Sequence, residues 1–331
     1  MKGITQHHNQ HRYVSEWHER SAALLKKCRH KNNTSLPMLF TEEKIEHACS
    51  SLVYQYLDFF THALLLGWPK EYCVWLLAHS AELHAMDLRM LMNAGKPTPI
   101  TLAGRELFIT PRARRYSPFH VWLDAVSTNL LMDEDQSVLE LCTYSEGYIT
   151  DNDPDNAFYE PQIAFFHLFK LYVEGGSSSE QKKAALDRVL ALVERGAIEK
   201  TNSIETEIAY QFRYIPFISF IAYAWGVEES SLDNIVMDVL KASYEYHADY
   251  APLPGEPTGD DSYELWNSRA LIPRHMLACL RLHYRRTGET ISFDSPYLPL
   301  WLIKGEGPTR NEVLFDNPVT FDEESIGLKK A

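Results

Sequence analysis

Fourteen histidines make metal and acid–base chemistry the first to weigh. In His79-Ser80-Ala81-Glu82-Leu83-His84 two imidazoles flank a carboxylate, a superficial likeness to a metalloprotease helix. The zinc pattern places its histidines four residues apart, so that both rings leave one face of the helix. Here the spacing is five, which at 3.6 residues per turn rotates the second ring about 140° from the first. The two rings cannot share one ion, and roles on a helix surface or at a cap fit better. His7, His8 and His11 have no carboxylate or cysteine alongside, which supports only adventitious affinity for a metal. No metal ligand set and no cofactor is expected.

Paired carboxylates are the next place to look. Asp260 and Asp261, with Glu256 and Glu264, lie in a Pro/Gly-rich stretch beside Tyr263 and Trp266. On an α/α scaffold an acidic-aromatic loop of this kind can supply the acid and second carboxylate of a glycoside hydrolase. The competing reading is a solvated acidic loop. Asp133, Glu134 and Asp135 form another cluster, and Asp151, Asp153 and Asp155 a third; loop positions suit both to helix capping. The third has the spacing of an EF-hand start, but the glycine and terminal glutamate are out of register. No phosphate-binding loop, nucleophile elbow or dinucleotide fingerprint occurs. Five scattered cysteines, never in a C-x-x-C pair, argue against a disulfide framework or a thiolate zinc site and read as small core residues. No catalytic residue is assigned, and the chain reads as a non-enzyme.

The elements that carry these residues are helices. Ile45, Cys49, Leu52, Tyr56 and Phe60 recur at steps of three and four, which places them on one helix face. A second helix is expected over about 70–94, stopped by Gly95 and Pro97. Residues 99–109 hold two short apolar runs around Ala103-Gly104, the one place where a small β-hairpin fits. Ser117-Pro118 starts a helix through Trp122, Val126 and Leu130. Further helices follow over Val138–Cys142, Ile163–Val173, Leu186–Val193, a segment kinked at Pro216, and Ile235–Leu240. The last expected helix runs from Trp266 to Arg286 with Pro273 inside it, and Arg281, Arg285 and Arg286 near its end complement its dipole. The fold class is therefore all-α, an irregular bundle of antiparallel helical hairpins. Its expected divisions are a polar N-terminal arm over 1–40, a single helical domain over 41–303 and an extended tail over 304–331.

A formal net charge of -13 repels nucleic acid and attracts basic partners. The N-terminus leads into polar residues with no apolar leader, and no run reaches the roughly 20 apolar residues of a membrane span. A cytoplasmic protein with no direct nucleic-acid or membrane partner is expected. The acidic clusters Asp133, Glu134, Asp135, Asp151, Asp153, Asp155, Glu256, Asp260, Asp261 and Glu264 are then the candidate contacts for a basic protein.

Three stretches carry a resemblance. They are Leu83-His84-Ala85-Met86-Asp87-Leu88-Arg89; Trp122-Leu123-Asp124-Ala125-Val126 with Asp133-Glu134-Asp135 and Val138-Leu139-Glu140-Leu141; and Ile291 to Leu302, which contains Ser295-Pro296-Tyr297-Leu298-Pro299. Together they resemble the immunity protein 49 family of bacterial polymorphic toxin systems, over about residues 45–303. The resemblance implies an all-α cytoplasmic protein that binds and neutralises a cognate toxin, often a nuclease. It assigns no functional residue. An α/α hydrolase acting through Asp260, Asp261 and Trp266, and a general helical adaptor, remain the alternatives.

Overall fold

The computed structural model describes residues 10–41, 45–102, 104–112, 119–150, 159–193, 214–245 and 271–328. The expected helix start at Ser117-Pro118 lies outside them.

Helices α1 (Gln10–Ser15) and α2 (Trp17–His30) open the chain, followed by the turn Leu36–Phe40. Helix α3 (Ile45–Leu65) and helix α4 (Lys70–Met92) form the central antiparallel pair. The expected stripe on α3 is its buried face: Ile45, Cys49, Leu52, Tyr56 and Phe60 are all fully buried. Gly67 takes the left-handed conformation between the two helices, with φ 67°. Helix α4 is buried on nearly every side, which is the condition of a core helix and not of an amphipathic surface one. It is covered by α3, by the hairpin β1 (Thr98–Leu102) and β2 (Arg105–Ile109), and by α5 (Phe119–Leu131). The two strands pair antiparallel, Thr98 opposite Ile109 and Leu102 opposite Arg105, so the sheet expected near 99–109 is present.

Helices α6 (Asp135–Leu141), α7 (Glu160–Glu174), α8 (Ser179–Val193), α9 (Ile215–Ala224), α10 (Leu232–Glu245), α11 (Arg274–Thr287) and α12 (Leu300–Lys304) complete the helical set. Pro216 sits in the first turn of α9, where its missing N–H is harmless. Pro273 behaves differently from the expectation of a continuous helix through it. It stands at the N-cap of α11, with ψ 68°, because a proline ring clashes with the preceding turn and removes a helical donor. The architecture is mostly α with one two-stranded sheet among the described residues.

Both ends of the described chain join the central core. Leu24, Leu25 and Cys28 of α2 are buried in the same apolar cluster as α3 and α4, and the Trp17 indole donates to Leu66 O at 2.7 Å. Beyond α12 the chain runs as a strap across α4. Val313 and Ile326 are buried, Phe321 packs edge-on against Tyr72 and Trp75, and the Tyr72 hydroxyl donates to Thr320 O at 2.8 Å.

Candidate functional site

Asp133, Glu134 and Asp135 sit where α5 turns into α6. Asp133 has φ 56°, a left-handed conformation that Asp tolerates better than most side chains. Each of the three carboxylates faces an arginine. Asp133 accepts both Nε and Nη2 of Arg281, and Asp135 accepts the two Nη groups of Arg285 at 2.9 and 2.7 Å. Glu134 lies 3.6 Å from Arg310 Nε, and Arg310 also pairs with Glu82 on α4. The Arg285 fork holds the Asp135 carboxyl below its usual range, despite a partly opposing desolvation. Arg281 also donates to Ile303 O at 3.2 Å, and its guanidinium lies so close to Gly305 that a Cβ there would overlap it. The acidic triplet is thus a clasp that holds α11, α12 and the strap to α5 and α6.

The arginines of α11 do more than complement its dipole, for which Arg285 and Arg286 stand in the last turn as expected. Arg281 and Arg285 bind the triplet. Arg286 caps another helix, donating to Tyr172 O and Val173 O at the end of α7, both at 2.7 Å. Bidentate groups satisfy more than a diffuse dipole does, so packing decides their direction. The other acidic candidates, Asp151, Asp153, Asp155, Glu256, Asp260, Asp261 and Glu264, lie outside the described residues, as do Trp266 and the hydrolase site built on it.

A second polar group is buried between α4, α5 and α11. Asp124 is fully buried, and its Oδ1 accepts Arg274 Nε at 2.9 Å and His275 Nε2 at 2.7 Å. On the neighbouring turn of α4, His84 Nδ1 donates to Ser80 O at 2.8 Å. Its Nε2, together with Arg274 Nη1 and Ser127 Oγ, has no hydrogen-bond partner among the described residues. Burial lowers the His84 pKa, partly offset by Asp124. His79 is elsewhere on α4, stacked on Trp75 at 3.9 Å and set against Tyr56. Burial pulls its pKa down to about 3. The two rings occupy separate environments, as a 140° separation requires, but neither is on the helix surface or at a cap as expected: both are buried, because α4 is packed on nearly every side. No three His, Cys, Asp or Glu side chains converge to hold a metal among the described residues.

Nucleophiles are equally withdrawn. All five cysteines are buried thiols outside any disulfide, and burial pushes those of Cys28, Cys73 and Cys142 up to about 12. No described helix is long and apolar enough to cross a membrane.

Two of the stretches that carried the resemblance are in contact, and the third forms a turn of its own. Arg89 on α4 grips Glu140 on α6 with both nitrogens of a fork. The Trp122 indole donates to Leu141 O at 2.9 Å. Ser295 to Leu298 form a tight buried turn, closed by Leu298 N–H to Ser295 O at 3.0 Å, which delivers Pro299 to the start of α12. These residues define how one fold is knit together.

No curated protein and no solved structure matches the chain. The sequence profile described as immunity protein 49 matches residues 75–302, well over half of the chain, from the middle of the central helical pair to α12. The match covers the Asp133–Arg281 and Asp135–Arg285 pairs, the buried Asp124 cluster and the Ser295–Leu298 turn alike, and the chain belongs to the immunity protein 49 family.

Proposed function

We propose that this chain binds a cognate antibacterial toxin in the cytoplasm and neutralises it by stoichiometric association, without catalysis of its own. Membership of the immunity protein 49 family is the observation that carries the reading. The withdrawn thiols support it. A net charge of -13 favours a basic toxin such as a nuclease, since complementary fields speed association. With Asp133, Glu134 and Asp135 each facing an arginine, the toxin-facing carboxylates of this proposal are Asp151, Asp153, Asp155, Glu256, Asp260, Asp261 and Glu264.

The test is co-expression with the open reading frame immediately upstream, in a susceptible cell. Relief of toxicity together with a 1:1 copurifying complex is the expected result. Toxicity that persists, or relief without any complex, overturns neutralisation by binding.

A further inference from the structure

We infer that the C-terminal strap, residues 305–328, is an acid-released cover: protonation of His79 on α4 opens the strap while the rest of the fold stays closed. This device goes beyond toxin binding and does not rest on it.

The strap reaches His79 through a stack of rings. Phe321 packs edge-on against Trp75 with centroids 4.9 Å apart, and Trp75 lies flat on His79 at 3.9 Å. Tyr56 of α3 sets its ring against both, 5.7 Å from Trp75 and 5.5 Å from His79. Trp75 is 7% and His79 2% exposed, so the imidazole is kept from water while Phe321 is seated. From the strap, Arg310 adds a positive charge that opposes a proton on the ring, and it pairs with Glu82 one turn along α4. Arg29 of α2 brings a second cation to the strap, donating to Phe321 O. A protonated His79 therefore meets burial and a nearby cation together, and release of the strap relieves both.

The strap is also a lightly anchored cover. Of residues 305–328 only Val313 and Ile326 are buried. Its polar ties to α2 and α4 are the Arg310–Glu82 pair and single bonds from Arg29 to Phe321 O, Tyr72 to Thr320 O and Lys70 to Glu306 O. Segments with few buried apolar contacts open at lower free energy than the fold as a whole. With the strap closed, burial keeps the His79 pKa at about 3; in water the ring regains about 6.5. The open form then takes up a proton that the closed form refuses. Opening gains up to about tenfold per pH unit as the pH falls below about 6.5. Two strap carboxylates titrate lower. Glu312, bound by the Thr309 N–H, and Asp322, bound by Ser325, are both held below the usual carboxylate range. His62 and His84 are buried too, but they face Tyr13 of α1 and Asp124 of α5.

The test is hydrogen–deuterium exchange of the full chain at pH 7.5, 6 and 5, corrected for intrinsic exchange rates. Peptides from residues 312–328 are compared with peptides from α5 and α11. Strap exchange is expected to rise about tenfold between pH 6 and 5 while α5 and α11 stay protected. His79→Phe and His79→Gln, which cannot take up the proton, are expected to abolish the rise. Strap exchange that is equal at pH 7.5 and 5 overturns the inference. So does a rise in step with α5 and α11, which is global unfolding, or a rise that both variants keep, which assigns the proton to another group. If neither variant folds, the contrast between strap and core in the unaltered chain decides.

Discussion

His79 is neutral because it is buried, and the consequence is a dependence on pH. Its folded pKa lies near 3, well below the ordinary value of 6.5 that it regains on unfolding. Between those values the unfolded chain binds a proton that the folded chain refuses. Stability is therefore full above about pH 6.5 and falls as the pH drops towards 3, by up to about 1.4 kcal/mol per pH unit for this residue. His84 and His62 are shifted the same way by burial and add to the trend. Urea midpoints at pH 7.5, 6 and 5 should decline, and His79→Phe should flatten the decline; superimposable slopes would sink the assignment. At this scale the sequence was partly legible. Spacing separated His79 from His84, and apolar neighbours marked the cysteines as core. The partners of Asp133 and Asp135 were not legible, because Arg281 and Arg285 lie about 150 residues away along the chain. A local reading has no term for a contact that only the closed fold creates.

Elements with strong periodicity were the most legible ones. The α3 stripe needed only step counting, whereas α4, apolar on nearly every side, gives no single face to read and shows its central place only once its neighbours are known. The boundary at Pro273 went against a pattern that ran through it, and backbone sterics prevailed over hydrophobic spacing. The clasp between α5 and α6 yields a prediction of its own. Asp133→Lys with Asp135→Lys sets new cations against Arg281 and Arg285 and should destabilise the fold. Arg281 is mostly buried and its loss of a partner costs about 1–3 kcal/mol, whereas the exposed Asp135 pair adds little. Thermal melting reads the effect. A melting point that does not move, combined with slower binding to the toxin, would return this loop to the contact surface.

For the whole molecule the strap is the decisive piece, and it lies beyond the family match that ends at Leu302. Deleting residues 305–331 removes the Arg310–Glu82 pair and the packing of Phe321 on Trp75, and it takes away buried Val313 and Ile326. Those two apolar side chains alone contribute roughly 1.5–3 kcal/mol each. The shortened chain is expected to melt well below the full one, or to be recovered insoluble. An undiminished midpoint would mean that the strap is an appendage.

The same strap sets when the protein can finish folding. Arg29 on α2 donates to Phe321 O, a bond between residues 292 apart, and Tyr72 reaches Thr320 across 248. On the ribosome α4 is made early, and α3, the hairpin and α5 can cover it soon afterwards, but its remaining apolar flank waits for residues 305–328. Closure of that flank comes late, and until then the nascent chain leaves it uncovered.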